Sequence, residues 1–156
     1  YSILKYKLKN SIILRTSWLY SEFENNFVSK ILNGFIKNSE VQVVSDEVGS
    51  PTNSLDLAKT ILDIIPKIKN NQTEIYHFSN IGYCSRIEFA NEIKNIIKSK
   101  VKLIPYIKNE KKIIRPKFSA LDISKITKNY KIKNKTWQSS LNTHLKTNKT
   151  VYKYEF

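Results

Sequence analysis

Methionine is absent from this 156-residue chain, cysteine occurs once, and glycine and proline occur only three and four times. The single Cys84 excludes an internal disulfide, and with only His77 and His144 beside it a structural zinc site has too few ligands. This cysteine usage fits a reducing cytoplasm, which is the expected location. Cys84 itself reads as a small, partly buried filler rather than a reactive thiol. The glycines, Gly34, Gly49 and Gly82, are scattered, so they form no glycine-rich loop of the kind that cradles phosphates. No apolar run reaches the ~18 residues of a membrane-crossing helix. The opening YSILKYKLKNSIIL mixes Lys with apolar residues and has no small-residue cleavage site. Neither a membrane span nor a secretory signal is therefore expected.

Acidic side chains are scarce as well, 13 against 27 basic ones, for a net charge of +14. One reading is a polyanion partner: nucleic acid, an anionic membrane or a phosphorylated ligand. The other is an AT-rich gene, which encodes much Lys, Asn and Ile and little Gly, Pro and Met. Lys is dispersed over the whole length, which favours the second reading. The lysine-rich stretches 108–117 and 125–135 are interspersed with Tyr106, Phe118 and Tyr130. No recognised nucleic-acid-binding module accompanies them, so nucleic acid is not the expected partner.

Core material is plentiful. Hydrophobic residues make up 40% of the chain, with nine Tyr, seven Phe and two Trp. A chain of this length buries about two-thirds of its unfolded surface, enough for one domain or a piece of a larger one. Residues 2–9 look like the end of a helix. The run Ile12, Ile13, Leu14 predicts a short strand at 11–15, buried as in a parallel sheet covered on both faces. Phe23, Phe27, Ile31 and Phe35 recur every fourth residue and predict a helix over 22–37, capped by Asn25, Asn26 or Ser21. A strand at 41–44 and a loop at 46–53 follow. Ser54 then opens a helix carrying Leu55, Ala58, Ile61, Leu62 and Ile65, which Pro66 stops. A strand at 75–78 precedes a capping box, Ser85 with Glu88, at the head of a helix carrying Phe89, Ala90, Ile93, Ile96 and Ile97. Strands are expected at 101–107 and 117–121. Asp122 is placed to cap a short helix to Tyr130, and Trp137, Leu141 and Leu145 align on a last helix over 136–145. Residues 146–156 pattern weakly and read as a loose tail. Alternating strands and helices make the fold class α/β or mixed α+β.

The order of short segments says more than any one of them. Arg15–Tyr20 (R-T-S-W-L-Y) follows the first strand. After it come N-N-F, V-V-S-D-E-V-G-S-P-T, D-L-A at Asp56–Ala58, and I-Y-H-F-S-N at Ile75–Asn80. The series ends with C-S-R-I-E-F-A at Cys84–Ala90 and R-P-K-F-S-A-L-D at Arg115–Asp122. It resembles the C-terminal half of dTDP-4-dehydrorhamnose reductases, in the extended short-chain dehydrogenase/reductase group, from about residue 8 to residue 145. The resemblance implies the C-terminal part of a Rossmann-like parallel sheet, interleaved with a small α+β domain that binds a sugar nucleotide. Residues 1–145 would form that half. The parent enzyme would move hydride from NADPH or NADH to the C4 keto group of a dTDP-sugar, with a Tyr of a Y-x-x-x-K motif as proton donor. A phenol is competent in that role only when a neighbouring cation stabilises its anion.

The chain departs from that pattern. It lacks the glycine-rich loop of the N-terminal Rossmann half, so that half is expected as a missing partner and the chain alone is expected to be inactive. Tyr1 and Lys5 have Y-x-x-x-K spacing but stand too close to Trp18, so no catalytic residue is assigned. Trp18 is the chief substrate-binding candidate, since an indole face packs on a pyranose and its N–H meets a hydroxyl. Ser17 ends the same strand, where ligands bind in open α/β sheets. Arg115 stands where extended reductases aim a cation at the nucleotide diphosphate, and a guanidinium binds such a group through two N–H bonds. Asn26 is a further ligand candidate that helix capping explains as well. Arg15 reads as scaffold, and His77 as a satisfied imidazole in a strand. Homodimerisation stays open. A non-catalytic homologue is the alternative, since the same fold serves as a regulatory subunit of methionine adenosyltransferase. A basic nucleic-acid-binding module ranks below both.

Overall fold

The computed structural model describes residues 8–23, 25–107 and 116–148. The expected helix end at 2–9 and the expected tail at 146–156 fall mostly outside them, and residues 146 and 147 continue the last helix instead. Nine short strands, five α-helices and one 3₁₀ turn at Ile65–Lys67 follow one another along the described residues. The strands are β1 (Ile12–Arg15), β2 (Leu19–Tyr20), β3 (Glu40–Val44), β4 (Val48–Gly49), β5 (Thr52–Asn53), β6 (Glu74–His77), β7 (Cys84–Ser85), β8 (Lys102–Tyr106) and β9 (Phe118–Ser119). The helices are α1 (Phe27–Lys37), α2 (Ser54–Ile64), α3 (Arg86–Ile96), α4 (Ser124–Tyr130) and α5 (Trp137–Thr147).

Parallel pairing dominates, as an α/β chain of this kind requires. β1 runs parallel to β6, β2 to β5 and β3 to β8. β4 bridges antiparallel β7 and parallel β9. The 46–53 segment expected as loop thus contains β4 and β5. Each is two residues long and exists only through partners distant in the chain, so no local periodicity announces it. β1 is half-buried rather than covered on both faces, with Ile12, Ile13 and Leu14 all partly accessible.

Two apolar clusters hold these elements. The larger joins Val28, Ile31 and Leu32 of α1 to Phe89, Ala90 and Ile93 of α3, Trp137, Leu141 and Leu145 of α5, and Val43 of β3. Phe89 is its hub, with ring contacts to Trp18, Tyr20, Phe27 and Trp137. The smaller cluster lies on one side of the β1–β6 pair: Tyr76, Phe78, Ile64, Ile126 and Tyr130. A buried polar knot ties α2 to α5. The Asn80 amide donates to Asp56 Oδ2 at 2.9 Å and to the Ser140 hydroxyl at 3.1 Å, while its oxygen accepts the Asn53 N–H at 2.8 Å. The Ser140 hydroxyl also donates to Asp56.

Helix ends follow local chemistry. α3 has the expected capping box: the Ser85 hydroxyl accepts the Glu88 N–H at 3.2 Å, and Glu88 accepts the Ser85 N–H at 2.6 Å. Those bonds to Ser85 hold the Glu88 carboxyl below its ordinary value. α1 is shorter than its periodicity implies. Asn26 caps it, so Phe23 falls outside the helix and is 72% exposed. α2 starts at Ser54 as expected, with Asn53 as its cap, but its buried positions are Thr60 and Ile64. Leu55, Ile61, Leu62 and the following Ile65 lie exposed. Thr136 caps α5, and Asp122 supports the start of α4 by accepting the Ser124 N–H at 2.8 Å.

Candidate functional site

Past β1 the chain turns sharply, and Trp18 adopts the left-handed region at φ +42°. A bulky residue there is strained by about 1–3 kcal/mol and persists only when its surroundings enforce it. The enforcing contacts are visible. The Ser17 hydroxyl donates to the Ser50 carbonyl at 2.8 Å, and the Thr52 N–H donates to the Trp18 carbonyl at 3.2 Å. Gly49 lies against the indole: a Cβ there would stand 2.4 Å from Cε2 and 2.6 Å from Nε1 of Trp18. The absent side chain of Gly49 is what lets the ring lie on β4.

The indole ring also carries Arg86, whose guanidinium carbon sits 3.6 Å from the ring centroid. It is also 4.9 Å from the Phe27 ring. Arg86 Nε faces Glu47 Oε2 at 3.5 Å, and the side chains are only 15% and 22% exposed. The Arg86 N–H donates to the Glu47 carbonyl at 3.1 Å, which fastens α3 to the turn before β4.

These residues form one wall of a cavity of about 620 Å³. Asn25, Asn26, Phe27 and Lys30 line the side of α1, and Gln42, Asp46, Tyr106 and Lys117 the side of β3 and β8. The volume lies within the range of small-molecule sites. The lining offers aromatic rings, three cations (Lys30, Arg86 and Lys117), two carboxylates and three side-chain amides. That set suits a ligand with a flat or apolar part, hydroxyls and anionic oxygens.

The expected residues meet different fates. Trp18 lines the cavity, but its face is covered by Arg86 rather than open. Asn26 lines it too, with its amide engaged within the protein: Oδ1 accepts the Ser29 N–H at 3.1 Å, and Nδ2 donates to the carbonyls of Ser21 and Phe23 at 2.9 and 2.6 Å. Asn25, exposed and at φ +70°, presents the freer amide at that edge. Ser17 is outside the cavity lining and uses its hydroxyl on Ser50. Arg115 lies outside the described residues, while Lys117 two positions on reaches the cavity. In the sequence Arg86 stands out only as part of the C-S-R-I-E-F-A segment. Its role could not be read from a helix start, because Trp18, Phe27 and Glu47 meet it only in three dimensions.

Elsewhere, Cys84 is buried, and burial pushes its thiol up to about 12, so it is an inert filler at neutral pH. His144 is buried against the edge of Tyr20, and burial pushes its imidazole down to about 4, with Glu22 opposing. Arg15 is exposed at the end of β1 opposite a half-buried His77, and its carbonyl accepts the Phe78 N–H at 2.9 Å. Among the described residues no group of His, Cys, Asp and Glu is arranged to hold a metal. No described helix is long and apolar enough to cross a membrane.

The chain is 33% identical over 145 residues to the spore coat polysaccharide biosynthesis protein SpsK of Bacillus subtilis, covering 92% of this chain and 50% of that protein. It is 34% identical over 143 residues to dTDP-4-dehydrorhamnose reductase of Aggregatibacter actinomycetemcomitans, covering 84% and 48%. Among solved structures, dTDP-4-dehydrorhamnose reductase of Bacillus anthracis in complex with NADP superposes with TM-score 0.78 at 33% identity, over 87% of this chain and 48% of that one. The Clostridium acetobutylicum reductase follows at TM-score 0.76 and 32% identity, over 87% and 48%. The chain spans about half the length of the curated relatives it matches. Residues 2–150 match the family described as the RmlD substrate binding domain, and the chain belongs to that family.

Proposed function

We propose that this chain is the sugar-nucleotide-binding portion of an NAD(P)H-dependent dTDP-4-dehydrorhamnose reductase, and that the Trp18 cavity holds the dTDP-sugar. The observation that carries the reading is the lining itself: aromatic rings beside three cations, at the end of a parallel strand where α/β sheets bind ligands. In this reading Phe27 and Tyr106 flank the flat or apolar parts, Asn25 and Gln42 meet base or sugar edges, and Lys30, Arg86 and Lys117 face the diphosphate. Asp46 and Glu47 are placed to accept from sugar hydroxyls. Trp18 serves as the floor beneath Arg86 and offers the ligand its edge.

The nicotinamide cofactor does not fit this chain's own residues. Gly34 sits inside α1, Gly49 is pressed on Trp18, and Gly82 lies between β6 and β7, close to Trp137 in space. None forms a phosphate-cradling loop, so the hydride source is assigned to a companion half. The exposed Leu55, Ile61 and Leu62 of α2, with Ile65 just beyond its end, support such a companion, since an exposed group of large apolar side chains marks an interaction surface. By itself the chain binds ligand and reduces nothing.

The test is calorimetry of the purified 156-residue chain with dTDP, paired with NADPH absorbance in the presence of the 4-keto sugar nucleotide. Saturable dTDP binding with no NADPH oxidation is expected. Oxidation of NADPH by the chain, or no affinity for dTDP, overturns the reading. Tight binding to a protein partner without dTDP affinity would instead mark a non-catalytic homologue.

A further inference from the structure

The turn at Trp18 depends on the segment that faces it. Bonds to Ser50 and Thr52 hold its left-handed backbone and Gly49 receives its ring, so residues 49–53 set where this cavity wall stands. β4, at the start of that segment, is fixed from outside by β7 and β9. β5, at its end, pairs only with β2 among the described strands, and β2 directly follows Trp18. That pairing cannot anchor both of its members. A hydrogen bond from outside the pair comes from Asn80, whose Oδ1 accepts the Asn53 N–H at 2.8 Å. Asn80 is a fixed post. It is fully buried, and its amide nitrogen is engaged by Asp56 and Ser140. The chain is also held on both sides of it. The Ser79 carbonyl accepts from the Asn134 amide at 2.7 Å, and the Ile81 N–H donates to the Lys135 carbonyl at 2.8 Å.

We propose that Asn80 is a positioning residue of the cavity: through Asn53 it holds β5, and through β5 it holds Trp18 in the strained turn that makes the wall. The inference rests on the sugar-nucleotide reading for its binding readout, and on geometry alone for its effect on Trp18. It gives the buried knot a direction. Asp56 and Ser140 orient the nitrogen side of the Asn80 amide, and its oxygen is thereby turned to Asn53. Loss of Ser140 leaves the Asn53 bond in place. A network that only stabilised the fold would lose stability at every member, with no particular effect at Trp18. A positioning residue moves Trp18 when its bond to Asn53 is cut, and not otherwise.

Two readouts of the isotope-labelled 156-residue chain test this: the Trp18 indole N–H resonance without ligand, and dTDP affinity by calorimetry. Circular dichroism establishes that each variant folds. Asn80→Ala cuts the bond from the side chain. Asn53→Pro cuts it from the backbone and leaves the knot intact, because Asn53 at φ −76° has a backbone that proline adopts. It is compared with Asn53→Ala, which loses the same α2 cap and keeps the N–H. If Asn80→Ala does not fold, Asn53→Pro carries the test. Both cuts are expected to shift the Trp18 resonance and to weaken dTDP about three- to tenfold. Ser140→Ala is expected to lower the melting temperature, yet to leave the Trp18 resonance in place and dTDP within about twofold. An unmoved Trp18 resonance or unchanged dTDP affinity in Asn53→Pro, relative to Asn53→Ala, overturns the inference and leaves the cavity reading standing. A Ser140→Ala chain whose Trp18 shifts as far as in Asn80→Ala also overturns it, because the knot would then only hold the fold. A wild-type chain without dTDP affinity overturns the cavity reading, and the Trp18 resonance alone then decides this inference.

Discussion

Replacing Gly49 with alanine puts a methyl group where Trp18 already lies. The new Cβ would stand 2.4, 2.6 and 2.8 Å from Cε2, Nε1 and Cζ2 of the indole. Carbon atoms settle at about 3.5–4.0 Å, so something must give by about 1 Å. Gly49 cannot retreat easily, because β4 is paired on both sides, with Cys84 and with Ser119. The indole cannot retreat freely either, because Arg86 lies over the ring at 3.6 Å from its centroid and the Phe89 ring packs against it. Overpacking of this kind costs about 1–3 kcal/mol, which lowers a urea midpoint by roughly 1 M for a chain of this size. The displaced indole also lifts Arg86, so dTDP affinity falls with stability. The assay is urea unfolding followed by Trp fluorescence, with calorimetry at a urea-free reference. A Gly49→Ala chain with wild-type midpoint and wild-type dTDP affinity would refute the packing described for Trp18.

The buried Asn80 serves four partners, so Asn80→Ala strands donors and acceptors around Asp56, Ser140 and Asn53 and costs about 3 kcal/mol in urea unfolding. His144 is held neutral by burial at about 4, below its ordinary 6.5, so the unfolded chain binds the extra proton first. Stability from this group is complete above about pH 6.5 and is lost as pH falls towards 4, on the order of 2–3 kcal/mol; His144→Gln should flatten that slope. Ser85→Ala removes the α3 cap and costs about 1 kcal/mol near neutral pH. The Glu88 carboxyl is held below its ordinary value by Ser85, so its share is present above the ordinary carboxylate range and fades as pH falls through it.

What could be read from residue order was what depends on neighbours in sequence. The Ser85–Glu88 box, the Thr136 start of α5 and the stripe Trp137, Leu141, Leu145 are local patterns, and each stands in the structure as expected. Phe23 misled because it shares the spacing of Phe27, Ile31 and Phe35, yet the Asn26 cap ends the helix before reaching it. The exposed side of α2 misled for a different reason: periodicity reports an apolar face, not whether the described residues cover it. β4 and β5 were invisible because their partners lie far along the chain. Among the cavity's lining residues, Trp18 stands out in the sequence through its segment, and the place of Asn26 as a cap was one of the options. Arg86 was not legible, because a cation between two aromatic rings and a carboxylate is a tertiary arrangement.

Adding dTDP to the isotope-labelled chain and following its two indole N–H resonances tests the central claim most directly. Trp18 lines the cavity and Trp137 does not. The account predicts a saturable shift of the Trp18 resonance, with Trp137 moving far less. No shift of Trp18 at saturating dTDP, or a larger shift of Trp137, would contradict it.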